Sequence, residues 1–391
     1  MLRALYVAFI LLALLGDVRI FLFVLNRYVY GGHREEKPPY GWLLWIVAPL
    51  LVALTVMFWP LSLWVDRILS ARVIEELAPR RIEEIAWSIV LAKLGAGWLL
   101  VAACAGIYWI VDRVRLLMRK DAQLAGTVTY KTPRVRRRYL ANDLYDLEVT
   151  RHEIFIDDLP EVADGLRIAF VTDTHVAPFV RRDFYREVVQ RVNGFDPEVV
   201  LFGGDFVSFR RHIPLAAEVL FEGLKATERY AVLGNHDYWT SADDVQRELG
   251  ARGVKFLTND AVLLRGALPL VGIDEIYRGR PDVGKAFGEI GATAACIAIS
   301  HHPDVIDLVE SRRIDLLLCG HTHGGQIRLP FFGPIVIPSR HEGEYASGFH
   351  RVRNVLMYVS RGIGAIPPVR VLCRPEIAMF TLRRGQRTVA I

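Results

Sequence analysis

Residues 314–326 read IDLLLCGHTHGGQ: an apolar run, a glycine, two histidines one residue apart, and two more glycines. On a helix His321 and His323 would point to nearly opposite sides, whereas on an extended segment they share a face. The run is therefore expected to be a buried strand whose end presents two imidazoles to a common object.

The same ending recurs along the chain. FVTDTH brings Asp173 and His175, LFGGD brings Asp205, VLGNHD brings Asn235, His236 and Asp237, and AISHH brings His301 and His302. Each of these alone is an ordinary turn, because Gly, Asn and Asp supply the backbone angles that turns need. Their co-occurrence is not ordinary, since six of the eleven histidines lie in four such motifs. Between them run amphipathic segments such as RRDFYREVVQRVNGF, PLAAEVLFEGLKA and ADDVQRELGARG. Strands alternating with helices of this length indicate a layered α/β domain, whose crevice lies at the carboxyl ends of the strands. The closely spaced KFLTN, AVLLRG and LPLVGID, and the strand-rich tail, add a hairpin-like habit. Two sheets covered by helices accommodate both.

Oxygen and imidazole donors with no cysteine in the pattern suit manganese foremost, or iron or zinc. There are too many donors for one ion, and a carboxylate such as Asp205 could bridge two. Paired divalent ions stabilise both the attacking and leaving oxygens of a phosphate ester. Two such ions carry four positive charges against two from the aspartates, so the site would stay cationic.

The rest of the 391 residues has a different character. The apolar segments 4–25, 42–64 and 88–111 each reach the ~20 residues needed to span a hydrocarbon core. Residues 1–120 are thus expected to be a transmembrane region of about three helices, with Asp17 and Arg19 near a membrane boundary or against other helices. Residues 121–143 read as a basic linker and 144–391 as the catalytic domain. Eight Lys/Arg flank one side (Arg27, Arg34, Lys37, Arg113, Arg115, Arg119, Lys120, Lys131) against five on the other (Arg3, Arg67, Arg72, Arg80, Arg81). That bias predicts a multi-pass protein of the cell (inner) membrane with a cytoplasmic catalytic domain. The run KTPRVRRR (131–138) accounts for part of the net charge of +5 and faces anionic lipid headgroups more simply than nucleic acid, which is not expected as a partner. Four cysteines form neither a CxxC pair nor a disulfide framework and should be free thiols.

The series DTH, GGD, GNHD, SHHP and GHTHGGQ resembles the calcineurin-like metallophosphoesterases over roughly residues 144–385. The extended forms GHTHGGQIRLPFFGP, YVSRGIG and PEIAMFTL are most similar to the membrane-associated bacterial branch, which includes phosphodiesterases and UDP-diacylglucosamine hydrolases. The resemblance implies a two-sheet β-sandwich flanked by helices. It implies one metal on Asp173, His175, Asp205 and His323, and a second sharing Asp205 with Asn235, His301 and His321, with His301 preferred to His302. His236 would stabilise the transition state and protonate the leaving oxygen, Asp237 would orient or support it, and hydroxide bridging the metals would attack phosphorus. The implied reaction is hydrolysis of a phosphodiester or pyrophosphate, in a substrate that the apolar stretch 329–338 suggests is lipid-linked. A phosphomonoesterase, a nucleotide phosphodiesterase or a non-catalytic membrane sensor are the alternatives. Arg181, Arg182, Arg210 and Arg211 could hold a second phosphate or simply be solvated.

Overall fold

The computed structural model describes residues 142–385, apart from 289, 291–294, 310, 330–332, 335 and 342. It also describes the backbone of Thr127–Lys131 and helical pieces at 12–20, without residues 14 and 18, and at 101–111, without residue 109. The chain divides into two compact units, Met1–Lys120 and Asp121–Ile391. In the first unit the two helical pieces touch closely: a Cβ on Gly16 would fall 1.6 Å from the Ala102 carbonyl oxygen, and one on Gly106 would fall 2.5 Å from that of Leu12. Among the described residues no helix is long and apolar enough to cross a membrane. The expected spans at 4–25, 42–64 and 88–111 fall largely outside the described residues, as does loop 65–87.

The second unit is built on two mixed sheets. In the first sheet the strands are β1 (Thr127–Lys131), β2 (Glu148–Ile156), β3 (Arg167–Val171), β4 (Val199–Phe202), β5 (Glu228–Ala231) and β6 (Lys255–Phe256). The second holds β7 (Asp260–Leu264), β8 (Leu268–Gly272), β9 (Ile297–Ile299) and β10 (Leu316–Cys319). A short hairpin, β11 (Arg328–Leu329) with β12 (Gly333–Pro334), follows, then β13 (Gly348–Val352) and β14 (Val355–Val359) of the second sheet. The last strand, β15 (Glu376–Arg384), returns to the first sheet, giving the orders β1-β2-β15-β3-β4-β5-β6 and β13-β14-β10-β9-β8-β7.

One expectation is corrected. Residues 121–143, read as a linker, contain β1, which pairs antiparallel with β2 from Thr127↔Ile154 to Lys131↔Thr150. Thr-Val-Thr-Tyr is a β-branched and aromatic run that suits a strand, a signal masked in the sequence by the basic run beginning at Lys131.

The central strands read as continuous apolar runs because both faces are covered. Along β4, Val199 and Leu201 enter the core between the sheets, while Val200 and Phe202 pack beneath helices. Those helices are α1 (Arg182–Phe195), α2 (Ile213–Phe221) and, after the short α3 (Asn235–Thr240), α4 (Ala242–Gly250). α1 buries Phe184, Tyr185, Val188, Val189 and Val192, a stripe at helical spacing. It stops at Asp196, whose φ of 53° is left-handed. On the outer face of the second sheet, α5 (Val283–Phe287) and α6 (Ile306–Val309) cover Val271, Ala298 and Leu317.

β3, β4 and β5 run parallel, as do β8, β9, β10 and β14. Their carboxyl ends supply the turns that carry the polar motifs. A buried ion network braces the neighbouring chain ends. Arg361 pairs with Glu148 and donates from Nε to Glu376 at 3.2 Å, and Arg374 donates to Glu148 at 3.0 Å. Glu376 also accepts from the Tyr358 hydroxyl at 2.6 Å and from Thr150 at 2.9 Å. Burial works to raise the pKa of Glu376, but Arg361 and these donors prevail and hold it at about 2.

A depressed carboxylate adds stability above its ordinary pKa and loses that contribution as pH falls through the folded value. Glu376→Gln should therefore destabilise the protein by about 3 kcal/mol at neutral pH. Denaturant midpoints measured from pH 5 to pH 2.5 should fall less steeply for that variant than for the wild type.

Candidate metal centre

The motif residues leave their strands through turns, not as extended segments. Asp173 has φ 52°, His175 40°, Asp205 55°, His321 67° and His323 51°, all left-handed, with Thr322 between the last two at φ −74°. The expectation that one-apart spacing needs an extended chain is thus corrected. Alternating left- and right-handed residues turn the backbone so that both side chains face inward. For a residue with a Cβ, each left-handed conformation costs about 1–2 kcal/mol, and such strain concentrates at functional sites.

Three overlapping groups of metal-binding side chains result: Asp173, His175 and His323; His175, Asp205 and His236; and Asp205, His301 and His321. Within each, the donor atoms lie within 4.8 Å of one another. Asp205 joins two of them, since its Oδ2 is 3.5 Å from His175 Nε2 and 3.4 Å from His301 Nε2. His323 Nε2 lies 3.1 Å from His175 Nε2 and 3.6 Å from Asp173 Oδ1. On the other side, His301 Nε2 is 3.1 Å from Asn235 Oδ1 and 3.0 Å from His321 Nδ1. His302 lies behind this set, its ring 4.0 Å from that of His321 between centroids, and is not among the grouped donors. Its Nδ1 accepts from the Asp304 backbone N–H at 3.1 Å, and its ring packs against Tyr277.

The supporting contacts set ring orientation. His301 Nδ1 lies 2.8 Å from the Gly203 carbonyl oxygen, which can only accept. That nitrogen must carry a proton, so Nε2 is the atom turned toward the centre. His175 Nδ1 meets Ser208 Oγ at 2.8 Å. His236 donates its backbone N–H to Asp205 Oδ1 at 2.8 Å, and its ring lies edge-on to His175 with centroids 4.7 Å apart. Asp237 accepts backbone N–H bonds from Asp205 (2.8 Å), Phe206 (2.9 Å) and Gly234 (2.9 Å). The support it gives His236 therefore runs through the backbone of the two turns and not through the imidazole.

Two contributors carried no signal in the sequence. Arg370, fully buried, donates from Nε to Gly364 O at 2.9 Å and from Nη2 to Arg361 O at 2.7 Å, with its Nη2 3.3 Å from His323 Nδ1. It ties the segment after β14 to the histidine loop. Glu275, also fully buried, lies close enough to His301 for their charges to interact. Both come from loops that follow other strands, and only the tertiary fold brings them here. Of the four arginines considered for phosphate binding, two are in ion pairs and two lie over aromatic rings. Arg182 pairs with Glu218, Arg210 with Asp244, and Arg181 and Arg211 stack over Tyr145 and Phe209.

Burial dominates the electrostatics. It lowers the pKa of His175 to about 3 and drives His321 and His323 well below their ordinary value, so these imidazoles are neutral donors at physiological pH. Burial and the Asp205 charge raise Asp237 to about 7, and burial raises Asp173 to about 7 against the pull of His301. Asp205, although burial opposes its charge, is held well below its ordinary value by His301, His236 and His175. It remains the permanent anion at the middle of the cluster.

The backbone approaches closely where glycine stands. A Cβ on Gly320 would fall 2.2 Å from Thr172 Oγ1 and 2.3 Å from Asp173 Oδ2. One on Gly362 would meet Asp173 Cβ at 2.6 Å, at a left-handed φ of 65°.

Comparison with known proteins gives this site its class. Residues 166–325 match the calcineurin-like phosphoesterase family. The chain thus carries a calcineurin-like phosphoesterase domain, and this match together with its phosphoesterase relatives makes it a metal-dependent phosphoester hydrolase. It is 29% identical to the metallophosphoesterase YkuE of Bacillus subtilis over 67% of this chain and 94% of that protein. It is 28% identical to phosphodiesterase YaeI of Escherichia coli, over 60% of this chain and 88% of that one. A zebrafish transmembrane protein with metallophosphoesterase domain is 30% identical over 63% of this chain and 60% of its own length.

Displacing the Asp173 carboxylate should be costly for a reaction that depends on positioning. Gly320→Ala is expected to lower kcat on a generic phosphoester about 100-fold. Gly194→Ala, where a Cβ meets nothing within 4 Å, should leave kcat within about twofold of wild type. Circular dichroism of both variants checks that the loss is not one of folding.

Proposed function

We propose that the protein is a membrane-anchored phosphoesterase with two divalent ions, manganese foremost, hydrolysing a phosphodiester or pyrophosphate bond. Asp173, His175, Asp205 and His323 would hold one ion, and Asp205, Asn235, His301 and His321 the other. The observation that carries this reading is Asp205, whose single Oδ2 faces an imidazole nitrogen of each group at 3.5 and 3.4 Å. The donor chemistry fits: imidazoles, carboxylates and an amide oxygen, with no thiolate, suit hard or borderline divalent metals. Bound there, the ions would supply charge neutralisation and an activated water for attack on phosphorus.

The chain's own residues do the remaining work. Asp237 holds both turns, so that Asp205 and the backbone of His236 keep a fixed separation. His236 is half-buried at the rim, and its imidazole is the group proposed to give a proton to the leaving oxygen. With two divalent ions and only two aspartates the site would be cationic, which favours an anionic ester over a neutral one.

Anchoring rests on the three apolar segments of the first unit. It is supported by the Gly16 and Gly106 contacts, which resemble the small-residue packing of membrane helices, and by the zebrafish relative, whose name describes a transmembrane protein. The excess of Lys and Arg on one side favours a cytoplasmic catalytic domain. Proximity to the bilayer makes a lipid-linked phosphoester the leading natural substrate. Phe331 and Phe332, candidates for its apolar part, lie outside the described residues.

With Mn²⁺ and bis-(p-nitrophenyl) phosphate, His236→Ala should lose about 100-fold or more in kcat while keeping both metals by elemental analysis. Asp205→Asn should lose metal occupancy and activity together, and full occupancy in that variant would contradict the bridging role. For topology, a phosphatase reporter fused after Ile391 should stay inactive, and activity would reverse the orientation.

A further inference from the structure

Beyond the metal centre, side chains of increasing exposure lead outward from His175. The His236 ring lies edge-on to His175, and the Trp239 indole lies edge-on to His236 with centroids 4.5 Å apart. The Arg278 guanidinium stands over the indole, 5.4 Å from its centroid. His175 is buried, His236 half-buried, and Trp239 54% exposed. A guanidinium over an aromatic face keeps its N–H edges free for acceptors in its own plane. Among the described residues, none of the ion pairs or side-chain hydrogen bonds engages that of Arg278.

This arrangement is held in place by buried groups. Asp274, 4% exposed, joins the two segments that carry it. Its Oδ1 accepts from the Tyr238 hydroxyl at 2.6 Å, next to Trp239 in α3, and from the Glu275 N–H at 2.8 Å. Its Oδ2 accepts from the Arg280 N–H at 2.8 Å. Gly279 allows this: a Cβ there would fall 2.6 Å from the Asp274 carboxyl. Glu275 Oε2 then accepts the backbone N–H groups of Tyr277 (2.9 Å) and Arg278. The loop is thus pinned on both sides of Arg278, and α3 is pinned beside Trp239.

We propose that Trp239 and Arg278 form the leaving-group subsite, and that it takes a leaving group carrying its own phosphate. The inference rests on the phosphoesterase reading above and deepens it. Arg278 would hold the departing phosphate, Trp239 would fix the guanidinium and exclude water from one side, and His236 would face the bond that breaks. Among the two bond types considered, this favours the pyrophosphate. In that hydrolysis the phosphorus–oxygen bond to the departing phosphate breaks and a new one forms to the water oxygen. The water's two protons are divided between the products, which leave as two phosphomonoesters.

The test compares full-length wild type, Arg278→Gln and Trp239→Phe on ADP-ribose, a pyrophosphate diester, and bis-(p-nitrophenyl) phosphate, whose leaving group has no second anion. A hydrogen-bonded charge pair of this kind corresponds to about 10- to 100-fold. The ratio of kcat/KM for ADP-ribose over bis-(p-nitrophenyl) phosphate should fall by about that factor in Arg278→Gln. In EDTA, inorganic pyrophosphate should quench a fluorescence component that is absent from Trp239→Phe and weakened in Arg278→Gln. An unchanged ratio, a ratio that rises, or a wild type that cleaves the p-nitrophenyl diester but no pyrophosphate would each overturn the subsite. A wild type that cleaves neither substrate would instead overturn the proposed function, and the quenching result would then decide the subsite alone.

Discussion

The structure depends on keeping one carboxylate charged where water cannot reach it. Asp205 is 1% exposed, and burying an isolated carboxylate would ordinarily neutralise it. Here His301, His236 and His175 surround it, and its Oδ1 accepts a backbone N–H from His236. Those groups come from three different strand ends, so satisfying one anion requires both sheets to end at the same place. The five left-handed residues, in three turns, follow from that requirement, because a relaxed backbone would carry the side chains past the centre.

The second tier of contacts has the same logic in reverse. Asp237, Arg370 and Asp274 do not belong to the donor cluster, yet each closes a gap between two loops. Asp237 joins the turns after β4 and β5, Arg370 joins the loops after β10 and β14, and Asp274 joins α3 to the loop after β8. All three are fully or almost fully buried. A catalytic geometry tolerates little displacement, and the chain limits displacement by giving backbone N–H and carbonyl groups side-chain partners between loops. The Arg361–Glu376–Glu148–Arg374 network does this one layer further out, holding β2, β14 and β15 together beneath the segment that meets Asp173.

Much of this was legible in the sequence because it is local. A strand buried on both faces must be a continuous apolar run, and a turn bearing donors must be short and glycine-rich. Five such junctions in one chain therefore pointed to the sheet scaffold and to the side chains that the fold gathers. What misled was also local. One-apart histidines were read as an extended face, although left-handed residues achieve the same convergence by turning. β1 was hidden in a basic stretch because charge, not pattern, dominated that window.

The sequence by itself determined which side chains could meet a metal, and that three apolar segments precede them, since residue type and hydrophobic spacing are properties of the chain. Only the tertiary structure decided how those side chains gather. It showed that Asp205 faces both groups, that His301 and not His302 joins the cluster, and that Asp237 serves the backbone. It alone brought Arg370, Glu275 and the Trp239–Arg278 pair to the site. These are relations between segments far apart in the chain, set by sheet order and by buried polar groups finding partners, and no local pattern records them.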